Sequence, residues 1–270
     1  MIFGTRSFRV QPVATLSRAG DWALFHILPK REATIRVPVG GTSFRLRLPP
    51  VLRHFGSTGI FVQRQFYEPL LEFVDRLVGK GDVVLDCGAS QGIYSCAFAA
   101  LVGASGHVYS FEPQAYGAEA VRSNARLNGC EHVDVEQAAV SDSDGEAVLD
   151  TTLGAVAASI VRDFGRRSSV TVPTVTLTGF AKRVGLERLD LIKMDGVGAD
   201  YLALKGAESL IAQFRPKIVI KASLAEEGWA AVLELLKGHG YRSYLLGDEG
   251  EFVSGEAISG DHPNVVFLPG

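Results

Sequence analysis

Asp86, Gly88, Gly92 and Glu112 have the types and the spacing to hold a nucleotide. The first three lie in Gly81-Asp82-Val83-Val84-Leu85-Asp86-Cys87-Gly88-Ala89-Ser90-Gln91-Gly92. Glu112 follows twenty residues after Gly92, in Tyr109-Ser110-Phe111-Glu112-Pro113. Val83-Val84-Leu85 is the apolar, β-branched run of a strand covered on both faces. Gly88 and Gly92 let the chain turn tightly and let a ligand approach the backbone, with Ala89 and Ser90 between them. The helix expected over residues 93–101 would present unpaired N–H groups behind that loop. Glu112, ending the next strand, could accept hydrogen bonds from ribose hydroxyls. A P-loop is excluded, because no GxxxxGK[ST] occurs. Two ligand classes remain, a nicotinamide dinucleotide and S-adenosylmethionine (SAM), and the loop separates them only in part. Its glycines are four apart with Ser90 between, unlike GxGxxG, and Asp86 suits the cationic amino-acid end of SAM.

The elements that must position these residues follow from periodicity. From Asp82 onward strands and helices alternate. Strands are expected at 107–111, 133–140, 189–194, 216–220, 241–246 and 264–268, with helices at 115–127, 199–214 and 224–237. Residues 146–150 and 169–177 read as extra strands around a polar loop, 151–167. Such alternation implies an α/β fold, a doubly wound and mostly parallel sheet with its ligand across the carboxyl ends of the strands. Upstream, 34–39 and 42–48 alternate about Gly40-Gly41, a β-hairpin signal. Phe44, Leu46 and Leu48 would face inward, Arg45 and Arg47 outward to solvent. Residues 22–28 fit a strand or a short helix. Residues 67–78 fit an amphipathic helix burying Leu70, Leu71, Val74, Leu77 and Val78. The chain thus divides into an N-terminal extension with the hairpin, 1–60, and a nucleotide-binding domain, 61–270.

Composition narrows the function classes. The 270 residues are 47% hydrophobic and 21% charged, ordinary for a large core. A net charge of −3 gives no global case for nucleic acid as a partner. The three cysteines, Cys87, Cys96 and Cys130, form no CxxC pair and no zinc-like cluster. They read as reduced thiols in a cytoplasmic protein, Cys87 and Cys96 as small buried hydrophobes. No run nears the roughly 18–20 apolar residues of a membrane span, and the start lacks a signal-peptide core. No integral membrane segment is expected, and peripheral association stays open. A homodimer is the default assembly.

The motifs together go further than any one of them. Phe66-Tyr67-Glu68-Pro69, the loop from Gly81 to Gly92, Tyr109-Ser110-Phe111-Glu112-Pro113 and residues 124–129 resemble the FkbM family of SAM-dependent methyltransferases. So do Ala138-Ala139-Val140-Ser141-Asp142, and Leu191-Ile192-Lys193-Met194-Asp195 with Leu204-Lys205-Gly206-Ala207. The resemblance covers about residues 60–225. It implies a class I methyltransferase, Rossmann-like sheet, usually of seven strands with the last antiparallel, and O-methylation of a small-molecule or sugar-containing acceptor. Carried onto this chain, it puts Asp86, Gly88, Ala89, Ser90 and Gly92 at the methionine side of SAM, with Tyr67 beside the loop. Glu112 would take the ribose and Ser141 or Asp142 the adenine. Asp195 would face the reacting methyl, and Asp195 and Lys193 are the candidate catalytic residues.

Three acidic positions of the family pattern are replaced here. Lys-x-Asp-Val-Glu-Gly reads Lys193-Met194-Asp195-Gly196-Val197-Gly198, Leu-Asp-Asp reads Leu177-Thr178-Gly179, and the glutamate ending the fifth strand is Lys221. All three are expected near the carboxyl edge of the sheet or its entrance. Their loss weakens the case for a divalent metal, which wants several oxygen ligands. Three readings follow: an anionic substrate recognised by Lys221, a SAM-binding protein or scaffold without turnover, or chemistry outside the family's usual range. His54, His107 and His132 rank below these groups. His107 and His132 open strands at the wrong end of the sheet.

Overall fold

The computed structural model describes residues 3–27, 32–48, 57–152, 158–161, 168–196, 198–221, 228–247, 249–254 and 264–270. The chain begins with helices α1 (Arg6–Val10) and α2 (Pro12–Ile27), so the segment read as strand or short helix is helical. Strands β1 (Ala33–Val39) and β2 (Thr42–Leu48) pair antiparallel about Gly40 and Gly41. Next come α3 (Ser57–Gln63) and α4 (Pro69–Phe73). The amphipathic segment after Tyr67 is therefore one short helix continued by a 3-10 turn, Val74–Arg76, rather than one long helix. Its apolar set is nonetheless the expected one, with Leu70, Leu71, Val74, Leu77 and Val78 all buried.

The alternating part then runs β3 (Val83–Cys87), α5 (Ile93–Val102), β4 (His107–Phe111), α6 (Ala115–Leu127) and β5 (Val133–Glu136). β6 (Ala139–Val140), β7 (Gly145–Asp150) and β8 (Ser169–Val175) form a separate three-stranded sheet. The single strand expected over 133–140 is thus split at Gln137 and Ala138, where the chain changes sheet. α7 (Leu177–Val184) was missed by periodicity. Its signal is Thr176, whose hydroxyl accepts from Gly179 N at 3.0 Å as an N-cap. β9 (Leu191–Met194) leads to α8 (Asp200–Lys205) and α9 (Glu208–Phe214). They break at Gly206, where the chain passes so near the Ser141 carbonyl oxygen that a Cβ would overlap it. β10 (Lys217–Ile220), α10 (Trp229–Gly238), β11 (Tyr241–Leu246), β12 (Phe252–Ser254) and β13 (Val265–Pro269) close the chain. The start expected for the helix at 224 lies outside the described residues.

The main sheet has the order β12-β11-β13-β10-β9-β3-β4-β5. β13 runs antiparallel to both its neighbours, and β12 adds an edge, giving eight strands where seven were expected. β3, β4, β5, β9 and β10 are parallel, and the connection reverses direction between β3 and β9. A ligand crevice belongs at the carboxyl ends of those two strands. One layer of core joins α5 to the inner face of the hairpin through Val37, Phe44, Leu46, Leu48, Ala97 and Phe98. The other packs α7 to α10 on the opposite face.

The hairpin is held at its edge as well as by its apolar face. Asn124 and Asn128, one turn apart on α6, accept from the backbone N–H groups of Arg47 and Arg45 at 2.8 and 2.7 Å. The arginines expected in solvent are partly engaged, Arg45 donating to the Leu127 carbonyl and Arg47 lying 3.4 Å from Glu32. Asn124 also donates to Gln91 O at 2.9 Å and is itself buried. It therefore ties the hairpin to the Gly88–Gly92 loop. Asn124→Ala should lower unfolding free energy by about 2 kcal/mol, since it orphans a buried carbonyl and an edge N–H. The urea midpoint should fall with an unchanged slope. A loss below about 0.5 kcal/mol, the range of an ordinary surface substitution, would show that Asn124 does not clamp the loop.

Candidate functional site

The carboxyl ends of β3, β4 and β9 open on a cleft. Gly88, Ser90, Glu112, Gln114 and Asp195 contribute its polar lining, and Phe111, Val140, Leu149, Ile160 and Ala203 its apolar walls. Gly88 has φ +80°, and a Cβ on it would overlap the Asp195 carbonyl oxygen. Glycine is therefore required where β3 and β9 converge. Gly92, at φ +85°, caps α5, and a Cβ on it would lie 3.2 Å from Val121 Cα, which leaves little room for a side chain. Ser90 adopts φ +53° without being glycine, a strained backbone of the kind that gathers at functional loops.

Four of the loop's own N–H groups, ahead of the α5 N-terminus, already have partners within the protein. Gly88 and Ala89 both donate to Phe111 O at 3.0 Å, Gly92 to Ala89 O at 2.8 Å, and Ser90 to Glu112 Oε2 at 2.9 Å. The loop is rigid before any ligand arrives. Glu112 is 4% exposed, and its other oxygen accepts from Gln114 N at 2.9 Å. Burial raises its carboxyl to about 7, against the opposing pull of those two N–H groups and of Lys193.

Beneath the cleft runs a row of alternating charges. Register places Asp86 of β3 between Ser110 of β4 and Lys193 of β9. Asp86 is fully buried, accepts from the Ser95 hydroxyl at 2.7 Å, and lies 3.5 Å from Lys193 Nζ. Lys193 Nζ is also 3.8 Å from Asp195 and 4.7 Å from the Tyr94 ring centroid. Asp195 is in turn 3.5 Å from Lys221 Nζ, which bonds Glu68 at 2.9 Å. Burial alone would lower both lysines, but the flanking carboxylates outweigh it and hold both above the ordinary lysine value. Both are ammonium at neutral pH, so neither can accept a proton.

This arrangement sorts the expected site residues. Gly88, Ser90, Glu112 and Asp195 line the cleft. Lys193, expected to be catalytic, is 2% exposed and reaches no cleft surface. It is a positioning cation for Asp86 and Asp195. Asp86 likewise stands behind the cleft, and Ala89 and Gly92 shape the loop without facing it. Tyr67 is set beside Glu68, with burial raising its phenol. Lys221, expected to meet an anionic substrate, is already paired with two carboxylates. Ser141 and Asp142 lie outside the cleft lining, and Ala138, Ala139 and Val140 hold that wall instead. Asp142 faces Lys205 at 3.8 Å. Thr178 bonds Ser209 at 2.9 Å rather than facing Asp195. Val197 and His54 fall outside the described residues. His107 bonds Asp134, and His132 the Ala99 carbonyl. Burial pushes the Cys87 and Cys96 thiols up, in keeping with their reading as inert core residues.

Sequence reasoning missed Glu68, although it stood in the Phe66–Pro69 motif, because its partner is 153 residues away. It also missed Tyr94, whose buried hydroxyl has no hydrogen-bond partner and whose ring meets Lys193. Nothing local distinguishes that tyrosine from a helix core residue. Among the described residues, no three His, Cys, Asp or Glu side chains converge as metal ligands.

The methyltransferase FkbM domain model matches residues 86–243, more than half of the chain. Among solved structures, the methyltransferase FkbM from Methylobacillus flagellatus KT matches with TM-score 0.50 and 14% identity, over 97% of this chain and 60% of that one. This chain thus spans less than two thirds of that protein's length. A SAM-dependent O-methyltransferase from Thermotoga maritima matches with TM-score 0.45 and 14% identity, over 86% and 76%. Aeropyrum pernix fibrillarin, solved with natively bound SAM, matches with TM-score 0.42 and 12% identity, over 71% and 68%. None of the curated proteins matches in sequence.

Two outcomes follow from the site's electrostatics. Between the ordinary glutamate value and about 7, folded Glu112 keeps a proton that the unfolded chain has released. Stability must therefore fall as pH rises through that window, by on the order of 3 kcal/mol. Urea titrations from pH 4.5 to 8 should show that fall, and Glu112→Gln should flatten it. An equal slope in both proteins would refute the assignment. Lys193→Met leaves Asp86 and Asp195 without their shared cation and should cost about 3–5 kcal/mol. Adding Asp86→Asn should recover part of the loss, and strict additivity of the two changes would deny the coupling.

Proposed function

The chain belongs to the FkbM methyltransferase family, and from that premise we propose that it methylates a hydroxyl of a small-molecule or sugar-containing acceptor using SAM. The observation that carries this reading is Glu112, a buried carboxylate fixed by two backbone N–H groups at the lip of a half-apolar cleft. The cleft suits SAM on three counts. Glu112 has lone pairs left for ribose hydroxyls, Phe111, Val140 and Ile160 offer an apolar enclosure for a base, and Gly88 leaves open the space that a side chain would fill. SAM, when bound, supplies a methyl group already activated by its sulfonium.

The protein's task is then alignment and proton removal. Asp195 is the group placed for it, with its carboxylate 29% exposed at the cleft floor. Lys193 and Asp86 hold it there from below. Asp195 orients the acceptor hydroxyl and takes its proton as the methyl moves. Residues 61–270 carry this chemistry, and 1–60 form an accessory unit packed on it. Three free cysteines favour a reducing, cytoplasmic setting. Among the described residues no helix is long and apolar enough to cross a membrane. A homodimer is the default assembly.

One observation favours a second reading. Asp195 lies within salt-bridge range of two ammonium groups, which makes it a hindered base. A protein that binds SAM without turning it over, as a partner or scaffold, would tolerate that. Calorimetry with SAM, S-adenosylhomocysteine and NAD separates the ligand classes. SAM and S-adenosylhomocysteine should bind and NAD should not, with Glu112→Ala weakening SAM about tenfold or more. Gly88→Val is a poorer probe, since it forces β3 from β9. With methyl-labelled SAM and a panel of hydroxylated metabolites, Asp195→Asn should cut transfer about a hundredfold while leaving SAM affinity within about threefold. Tight SAM binding with no labelled product from the wild type selects the second reading, and tighter NAD binding sinks both.

A further inference from the structure

Charge is segregated along this chain. Residues 1–66 hold ten Lys and Arg against two Asp and Glu, a net of +8. The rest holds 17 against 28, a net of −11. The basic segment also carries a dense exposed apolar surface, with Phe3, Val10, Val13, Leu16 and Leu24 between 47% and 81% exposed. On α2, Val13, Leu16, Gly20 and Leu24 recur at the interval of one helix face. The opposite face holds the helix to the protein by polar and aromatic contacts. Trp22 donates to Thr58 at 3.0 Å and meets the Phe61 ring, and Arg18 donates to the Val62 carbonyl. α2 is thus anchored by Trp22 and Arg18 and turns an aliphatic stripe to solvent, which monomeric soluble proteins rarely keep without a use.

Arg6 pairs with Glu72 and Arg47 with Glu32, but three other arginines of this segment lack acidic partners. Arg9, Arg36 and Arg45 are exposed, and none pairs with a carboxylate among the described residues. Arg36 and Arg45 stand directly opposite each other across the hairpin, an unfavourable placement unless an anion meets both. Trp22 packs with Ala33 and Val62, so α2 and the hairpin are in contact.

We propose that α1, α2 and the basic hairpin form a docking surface for an anionic lipid bilayer. The aliphatic stripe enters the boundary between headgroups and acyl chains, and the arginines meet lipid phosphates and carboxylates. Charge selects this occupant. A second copy paired through the same face would bring two +8 segments together. A nucleic acid would satisfy the arginines and leave the stripe bare. The acidic remainder of the chain is repelled by such a surface, so the segment approaches it first.

Co-sedimentation with phosphatidylcholine vesicles, with and without phosphatidylserine, tests the proposal on the full chain. Binding should need phosphatidylserine and should weaken as salt rises. Leu16→Glu with Leu24→Glu should reduce it at least about tenfold, and Arg36→Ala about fivefold. Both sites are exposed, so melting temperatures should match the wild type, and neither change touches the cleft or its SAM affinity. The proposal is overturned if phosphatidylserine vesicles bind no protein, or if the double variant binds them as the wild type does. A dimer in light scattering that the double variant dissolves would assign the stripe to a second copy instead. A gel shift of RNA without vesicle binding would assign the arginines to nucleic acid.

Discussion

The buried ammonium of Lys193 is the interaction on which the site depends. Parallel pairing sets Lys193 of β9 beside Asp86 of β3, at the end of the sheet where the chain reverses its winding. Alternation along β9 puts Asp195 on the same side as Lys193. One cation therefore sees two carboxylates, one behind the cleft and one at its floor. Burying such a set gains little stability, since desolvation consumes most of the Coulombic return. Its effect is placement. Asp86 is held from its other side by Ser95, and Ser95 accepts from Ser110, so three neighbouring elements share one polar network. The Gly88–Asp195 contact lies directly above it, and only a glycine lets the two strand ends come so close.

What could be read from the sequence was whatever has a local signature. The Val83–Cys87 strand, the glycines that follow it, Glu112 at the next strand end and the 40–41 hairpin turn each carry their own pattern, and each stands in the expected element. The errors share a physical origin. Residues 133–140 and 199–214 have unbroken apolar periodicity, yet each is interrupted where it meets another segment: the chain changes sheets at Ala138, and Gly206 passes against the Ser141 carbonyl. Periodicity reports burial, and burial continues through such breaks. Charge pairing was less legible still. Lys193 and Lys221 read as a catalytic group and a substrate anchor because Asp86, which faces the first, and Glu68, which bonds the second, are distant in sequence.

The replacement at Lys221 looks different in its setting. Where the family commonly ends its fifth strand with glutamate, a lysine would add an unpaired cation beside a cationic cofactor. Here Glu68 reaches it at 2.9 Å and Asp195 at 3.5 Å, so the added charge is absorbed locally. Three carboxylates and two ammonium groups leave the row with a net of one negative charge, compatible with a sulfonium nearby. The same pairing keeps Lys221 partly occupied. On the proposed reading, an acceptor approaching Asp195 would meet an ion pair, and its affinity would depend on what it offers in exchange for the solvent on that pair.

Glu68 also joins two parts of the molecule that the sequence separates. It follows the 3-10 turn Arg64–Phe66, which packs against β1 and is continuous with α3. α3 in turn is the surface on which α2 lies, through Trp22 and Thr58. Trp22 meets the Phe61 ring at the outer end, and Glu68, Lys221 and Asp195 form a chain of ion pairs at the cleft end, with the 3-10 turn Arg64–Phe66 between them in sequence. A hairpin clamped by Asn124 to the ligand loop forms a second connection, ending at Gln91. The N-terminal helices and hairpin therefore adjoin the segments behind the cleft by two routes, α2 through α3 and the hairpin through Asn124. Glu68 and Gln91 keep their own partners, Lys221 and Asn124, within residues 61–270, and the N-terminal helices and hairpin pack around those pairs from outside.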